Sequence, residues 1–119
     1  MGGRTVYRLG DMTDAIDAIH SLLEGKTFEE MVGDRVTKAA FERFLEILSE
    51  ASRHIPETLK DQASQVPWRR VGDIGNHLRH AYHRVDAEIL WSLYENGELA
   101  TLRDAATDLR KMLAASDGP

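Results

Sequence analysis

The chain has 119 residues, 42% hydrophobic and 29% charged, which indicates one globular domain with a single core. Its net charge of −5 argues against a protein that coats nucleic acid with its whole surface. No cysteine is present, which excludes disulfides and thiolate metal sites and favours a reducing cytoplasm. We also expect neither a signal peptide nor a membrane span, because Met1-Gly2-Gly3-Arg4 is followed by no apolar run of suitable length.

The first half of the chain predicts two amphipathic helices joined by a short turn. The first helix runs from about residue 4 or 11 to residue 24 and ends at Gly25. Thr27 and Glu30 have the spacing of a capping box, and Asp34 is the expected N-cap of a helix reaching about residue 54. The predicted buried face of that longer helix consists of Val36, Ala40, Phe44, Ile47, Leu48 and Ala51.

The second half also has helical spacing throughout. Pro56 predicts a short helix to about residue 63, and Pro67 predicts a rigid corner before a helix over 71–83. Asp86 is the expected cap of the last helical stretch, which Asn96-Gly97 interrupts. Residues 1–119 therefore predict a single all-α domain, a four-to-five-helix up-and-down bundle with disorder at 1–5 and 115–119.

Basic side chains are concentrated in one segment of this acidic chain. Residues 69–84 contain four arginines and one acid, Asp73, so they carry +3 and the remainder carries −8. Such a strip suits a local anionic ligand such as a phosphate. It is equally typical of a solvated helix face. Arg69, Arg70 and Arg84 are accordingly candidates either for binding RNA phosphates or for pairing with carboxylates.

The segment Gly75–Arg84 also holds three of the five histidines. A metal site would need a third ligand, and no H-E-x-x-H or similar motif supplies one, so we expect no metal. A serine-based hydrolytic triad lacks a nucleophile elbow. Trp68 and Trp91 are expected in the core or at an interface more than as platforms for stacking bases.

Metal-free cleavage of a phosphodiester suits these residue types better. RNA carries its own nucleophile, the 2′-hydroxyl, so the protein must move protons and stabilise charge on phosphorus. Histidine titrates near working pH, and arginine offers a planar set of donors. His80, Arg79 and Asn76 would lie within a turn and a half of one helix. The alternative is that these are ordinary polar residues of a helix.

The order of residues along the chain resembles the HepT-like family of the HEPN superfamily (higher eukaryotes and prokaryotes nucleotide-binding). The resemblance covers nearly the whole chain from Arg4 to Leu113. It rests on Asp11-Met12, Ala15-Ile16, Ile19, Gly25, Phe28, Asp34, Ala39, Leu45-Glu46-Ile47-Leu48-Ser49-Glu50-Ala51, Pro56, Pro67-Trp68, Ile74, Asn76, His80, Tyr82, Asp86, Ile89 and Trp91.

That resemblance implies a helical homodimer in which two R-x-x-x-x-H-x-Y motifs face each other across a cleft. It implies a metal-independent endoribonuclease, the toxin of a bacterial toxin–antitoxin pair, acting on RNA such as tRNA. The implied partner is an MntA-like nucleotidyltransferase antitoxin that adds AMP to the motif tyrosine. By the same resemblance His80 is the catalytic histidine, Tyr82 the modified tyrosine and Asn76 the polar residue that follows the motif arginine.

The sequence departs from that motif at the arginine itself, where it has Gly75, and has Ser49 where the family often has glycine. Helical side chains lean toward the N-terminus, so Arg79 can reach back over the turn that contains residue 75. One hypothesis is that Arg79 replaces the motif arginine in space that Gly75 leaves open. The other is that catalysis is lost, with Arg79 bonded to an acid such as Asp86. The chain would then be an inactive module that binds a nucleotide or the nucleotidyltransferase.

Overall fold

A computed structural model describes residues 3–80 and 83–116 of the chain. Every regular element in these two ranges is a helix, which confirms the all-α prediction. The α-helices are α1 (Gly3–Leu23), α2 (Phe28–Gly33), α3 (Arg35–Arg53), α4 (Glu57–Lys60), α5 (Trp68–Gly72), α6 (Ile74–Leu78), α7 (Arg84–Glu95) and α8 (Glu98–Ser116), and a 3-10 helix (Asp61–Ala63) follows α4.

Four long helices form an elongated bundle of 51 × 24 × 21 Å. Helix α1 packs against α3 and α8, α7 packs against α8, and the short helices α5 and α6 lie on α3. The core lies between the long helices and is built mainly from Leu9, Met12, Ile16 and Ile19 of α1, Phe41, Leu45 and Leu48 of α3, Leu90 and Trp91 of α7, and Leu102, Ala106 and Leu109 of α8. None of the helices in the described ranges is both long and apolar enough to cross a membrane.

The predicted helix ends in the first half are confirmed. Gly25 has a φ of 75°, the left-handed conformation that glycine adopts most easily after a helix. Thr27 and Glu30 form the complete capping box of α2, with each side chain bonded to the other residue's backbone N–H. Asp34 caps α3 by accepting hydrogen bonds from the N–H groups of Val36 and Thr37.

The predicted buried face of α3 is partly wrong. Val36 is 76% exposed, whereas Thr37 and Phe41 are buried, so the true face lies about one residue further along. Leu48 and Ala51 are buried as predicted, and Phe44 and Ile47 pack at the margin of the core. The sequence does not decide which face of α3 is buried at its start, because Val36 has the helical spacing of the buried residues although its side chain is exposed.

The continuous helix predicted over 71–83 is also wrong. Helix α5 ends at Gly72, α6 begins at Ile74, and Arg79 and His80 lie in a turn beyond α6. In an unbroken helix the Asn76 N–H would bond to the Gly72 carbonyl, but it bonds to the Asp73 carbonyl at 2.9 Å. The Gly72 carbonyl instead accepts hydrogen bonds from two side chains of α3, so a tertiary contact accompanies the break.

Two further expectations need correction. Asp86 does not cap α7, since the N-cap is His83 and Asp86 lies in the first helical turn. Positions 3–5 and 115–116, for which disorder was expected, belong to α1 and α8. Trp91 is buried as expected, with its ring centroid 5.2 to 6.4 Å from the rings of Tyr94, Phe28 and Phe41.

Candidate functional site

An open groove lies where α6 rests on the C-terminal half of α3. Its volume is about 350 Å³, enough for a phosphate group and part of a nucleotide. The lining comes from both helices and from the turn that follows α6, and consists of Glu46, Ser49, Glu50, Arg53, Gly75, Leu78 and Arg79.

Arg79 folds back over α6 toward its N-terminus, as expected of a side chain just past the end of a helix. Its Nε donates to the Gly75 carbonyl at 3.4 Å, and its Nη2 donates to Asn76 Oδ1 at 3.0 Å. Arg79 and Asn76 are therefore brought together at the exposed end of α6. The alternative pairing with Asp86 is not found among the contacts of the described residues, because Asp86 bonds to His77 instead.

The space above Gly75 is not open, contrary to the expectation that Arg79 would enter it. A Cβ added at residue 75 would lie 2.7 Å from Nη2 of Arg53, a residue of α3. Arg53 Nη2 also donates to the Gly72 carbonyl at 3.2 Å. The guanidinium of Arg53 thus covers Gly75, and Arg79 contacts the carbonyl of the same glycine.

Ser49 holds the junction between α3 and the α5–α6 segment. Its hydroxyl donates to the Gly72 carbonyl at 3.2 Å and accepts a hydrogen bond from Arg53 Nη2 at 3.4 Å. Ser49 is 2% exposed, so this hydroxyl gains its partners from protein rather than from bulk water. Gly75 and Ser49, the two departures from the HepT-like pattern, therefore both contact Arg53.

His80 is exposed in the turn after α6, where its backbone N–H bonds to the His77 carbonyl at 3.1 Å. Its ring centroid lies 6.1 Å from that of His83. His80 directly follows Arg79 in the chain, and the residues that line the groove include Arg79 but not His80. Tyr82, the residue expected to be modified, lies outside the described residues.

His77 and Asp86 form a contact that joins the two ends of the segment carrying His80. His77 Nδ1 and Asp86 Oδ1 are 2.9 Å apart, and their side chains are 32% and 22% exposed. His77 is in the last turn of α6 and Asp86 is in the first turn of α7. The pair thus fixes the distance between those two helix ends.

The three arginines proposed as guides for phosphate differ in their surroundings. Arg70 pairs with Glu98 at 2.9 Å, and Arg84 pairs with Glu29 at 2.5 Å and Glu88 at 2.8 Å. The hydrogen bonds that Arg84 donates to the carboxylates of Glu29 and Glu88 raise its pKa. Arg69 is exposed and has no ion pair with another described residue. Of the three arginines, Arg70 and Arg84 therefore pair with carboxylates, which was the alternative to binding RNA phosphates.

Two carboxylates lie in the groove with Arg53 and Arg79. Glu50 Oε1 is 3.1 Å from His54 Nε2, and Glu50 Oε2 is 3.6 Å from Arg53 Nη1. The hydrogen bond with His54, with the nearby charges of His54 and Arg53, lowers the pKa of Glu50. Glu46 is paired with Arg43 outside the groove. Among the described residues, no group of three His, Asp or Glu side chains is arranged to hold a metal ion.

Arg53 was missed by reasoning from the sequence, because its contacts are far away along the chain. It is 19 residues from Gly72, the carbonyl to which it donates. A partial signal is present, since Arg53 follows Ser49 by one helical turn and the two side chains share a face of α3. That spacing does not indicate which other helix they contact.

Comparison with known proteins gives a consistent set of matches. Residues 12–112 match a family described as "Ribonuclease HepT-like". A protein of Thermococcus cleftensis named "Probable ribonuclease HepT" is 34% identical over 103 residues, 87% of this chain and 93% of the relative. One of Methanocaldococcus jannaschii, named "Putative RNase", is 33% identical over 88 residues, 74% of this chain and 69% of the relative. No solved structure gives a significant match.

Proposed function

The chain belongs to the ribonuclease HepT-like family, and from that premise we propose that it is an endoribonuclease. The relatives named above as ribonucleases support this activity class. The observation that carries the proposal for the site is the position of Arg79. Its guanidinium is bonded to Asn76 on the exposed surface of α6, it lines an open groove, and His80 is the next residue in the chain.

The proposed reaction is attack of the RNA 2′-hydroxyl on its own phosphate. The O2′–P bond forms and the P–O5′ bond breaks, which gives a 2′,3′-cyclic phosphate and a 5′-hydroxyl. His80 accepts the 2′ proton or donates a proton to the leaving 5′ oxygen, and a histidine of a second copy performs the other transfer. Neither proton transfer requires a metal, because imidazole titrates near neutral pH.

Arg79 and Asn76 bind the reacting phosphate in this proposal. The guanidinium supplies N–H donors to the non-bridging oxygens, on which charge increases in the transition state. The hydrogen bond to Asn76 Oδ1 restrains the rotamers of Arg79 before RNA binds, so less conformational entropy is lost on binding.

The chain acts as a homodimer in the cytoplasm, as the toxin of a pair whose antitoxin is an MntA-like nucleotidyltransferase. Addition of AMP to Tyr82 would place bulk and a negative phosphate two residues from His80, which blocks RNA both sterically and electrostatically. A sedimentation mass of twice the 13.4 kDa of one chain tests the dimer. A single-chain mass at the concentration used for cleavage contradicts it.

The deciding experiment is cleavage of total RNA or tRNA by purified protein in the presence of EDTA. Mass spectrometry first establishes that Tyr82 is unmodified. We expect cleavage with 2′,3′-cyclic phosphate ends, and a loss of about 100-fold or more in His80→Ala, because general acid–base catalysis contributes about 10²–10⁴-fold. His20→Ala is the control, since His20 lies on α1, where its Nδ1 is 3.0 Å from the Ile16 carbonyl.

Failure of unmodified protein to cleave any RNA, with or without EDTA, contradicts the endoribonuclease. That result favours the alternative of a silent module that binds a nucleotide or the nucleotidyltransferase. Cleavage that persists in His80→Ala retains the activity but removes His80 from the site.

A further inference from the structure

The side chain of Arg53 crosses from α3 to α6 and occupies the space that a side chain at residue 75 would enter. A Cβ at Gly75 would lie 2.7 Å from Arg53 Nη2, closer than unbonded atoms of this kind approach. Gly75 therefore leaves the space that the guanidinium of Arg53, a residue of α3, occupies. Only the absence of a side chain at residue 75 allows this close approach.

Three contacts hold that guanidinium in place. Nη2 donates to the Gly72 carbonyl at 3.2 Å and to Ser49 Oγ at 3.4 Å, and Nη1 lies 3.6 Å from Glu50 Oε2. An arginine carries five N–H donors, so these contacts leave others for a ligand. The Arg53 side chain is 50% exposed, and it lines the groove. It is anchored on one side and open to solvent on the other.

Arg53 and Arg79 line the same groove on either side of Gly75. Arg79 Nε bonds to the Gly75 carbonyl, and Arg53 covers the Cα of the same residue. Two guanidinium groups in one groove offer several N–H donors to the oxygens of a phosphate, and their planar donor forks suit those oxygens better than a lysine ammonium would. Of the two groove carboxylates, Glu46 pairs with Arg43, and Glu50 is shared between Arg53 and His54.

We propose that Arg53 is a phosphate-binding residue of this site, taking the place of the arginine that is missing at position 75. It binds the reacting RNA phosphate together with Arg79, while Gly75 provides the space and Ser49 the anchor. This inference rests on the proposed function for the identity of the ligand. It adds a residue from α3, a helix that the motif between residues 75 and 82 does not include.

The first test compares cleavage rates of Arg53→Ala, Arg53→Lys and Arg103→Ala. We expect Arg53→Ala to lower kcat/KM by about 10- to 100-fold, the usual effect of removing a charged hydrogen-bond donor. Lysine should recover part of the loss, because it restores the charge without the planar donors. Arg103→Ala matches the charge change on a face where Arg103 pairs with Asp17, and should cleave like wild type. Equal rates for Arg53→Ala and Arg103→Ala would overturn the proposal.

The second test moves the guanidinium from α3 to α6. In the double variant Arg53→Ala with Gly75→Arg, the new side chain leans toward the N-terminus of α6. The guanidinium of Arg53 occupies that region in the wild-type protein. We expect the double variant to regain most of the rate lost in Arg53→Ala. A double variant as slow as Arg53→Ala would show that a guanidinium over residue 75 does not serve the reaction.

Gly75→Ala separates the binding role from a purely structural one. Alanine favours helix more than glycine does, so thermal stability should be unchanged or higher. The Cβ of the new alanine must displace Arg53 Nη2. The cleavage rate should therefore fall, while the melting temperature should not. If Gly75→Ala cleaves RNA as fast as wild type, the position of the Arg53 guanidinium over Gly75 does not matter for the reaction, and the proposed role of Gly75 is wrong.

Titration with inorganic phosphate separates failure of this inference from failure of the proposed function. If unmodified wild type cleaves no RNA, the endoribonuclease proposal fails, but the anion site is still tested by NMR of the Arg53 Nε–H resonance. A saturable shift that disappears in Arg53→Ala supports the phosphate site. The phosphate site is overturned if phosphate causes no shift of this resonance in the wild type. It is also overturned if the other resonances titrate identically in wild type and Arg53→Ala.

Discussion

The carboxylate of Asp34 caps α3 through hydrogen bonds with residues close to it in the sequence. Its Oδ1 accepts from the Val36 N–H at 3.0 Å, and its Oδ2 accepts from Thr37 Oγ1 at 3.0 Å. All of these partners lie within three residues, so the sequence alone determines them. Arg53 is the opposite case, because the position of Gly72 and Gly75 beside it depends on how α5 and α6 pack on α3.

The cap at Asp34 leads to a prediction about acid. Hydrogen bonds from the Thr37 side chain, then from the backbone N–H groups of Thr37 and Val36, lower the pKa of Asp34. A lowered folded-state pKa means that the stabilisation is present above the unfolded value, near pH 4, and is lost as pH falls through the folded value. Asp34→Ala should therefore melt lower than wild type at pH 7, with a difference that shrinks below about pH 4.

Asp34→Asn is the matched control for that measurement. Asparagine caps helices about as well as aspartate but does not titrate, so it should retain most of the stability at pH 7. Melting temperatures of wild type and Asp34→Asn, followed by circular dichroism from pH 7 to pH 3, should converge in acid. A gap between them that stays constant across this range contradicts the assigned pKa shift of Asp34.

At the scale of elements, helices were predicted more reliably than the breaks between them. Val71, Ile74 and Leu78 keep helical spacing, which led to one helix over 71–83. The chain nevertheless breaks at Asp73, where the Gly72 carbonyl accepts bonds from Ser49 and Arg53. A periodic pattern cannot predict this break, since the competing hydrogen-bond donors belong to another helix. The candidate site lies at that break, where local propensity and tertiary contacts disagree.

The contact between His77 and Asp86 should control the segment between α6 and α7. Because it joins the two helix ends at 2.9 Å, its loss should loosen the turn that carries His80. We expect Asp86→Ala to cost about 1 kcal/mol of unfolding free energy. Cleavage should fall about tenfold, mainly in kcat, since misplacement of a reacting group weakens catalysis.

Hydrogen exchange and cleavage kinetics measure these effects together. Glu88→Ala is the control on the same helix, because Glu88 pairs with Arg84 at the surface. Faster exchange in the first turn of α7 should accompany the lower kcat in Asp86→Ala only. If Glu88→Ala loses as much activity, the effect comes from general loosening of α7 and not from the bond to His77.

Over the whole molecule, tertiary pairing changes the charge distribution that the sequence suggested. The sequence places +3 in residues 69–84, but Arg70 and Arg84 are paired with glutamates from other parts of the chain. The exposed cations near the groove are instead Arg79 and Arg53, and Arg53 lies outside that segment. The prediction of a local anion site therefore applies to this groove and not to the whole of residues 69–84. With two exposed arginines in the groove, we expect the proposed site to contact a small number of phosphates.

That number can be measured from the salt dependence of RNA binding. The His80→Ala protein, which should bind without cleaving, is titrated with a labelled single-stranded oligoribonucleotide at several salt concentrations. Each neutralised phosphate contributes about −0.7 to the slope of log K against log salt, so the one phosphate that both arginines bind predicts about −0.7 for each site. Adding Arg53→Ala should weaken binding at every salt concentration, because one of the two donors to that phosphate is lost, whereas adding Arg103→Ala should leave the affinity unchanged. A slope steeper than about −4 would mean that RNA follows a broad basic surface, which the net charge of −5 argues against.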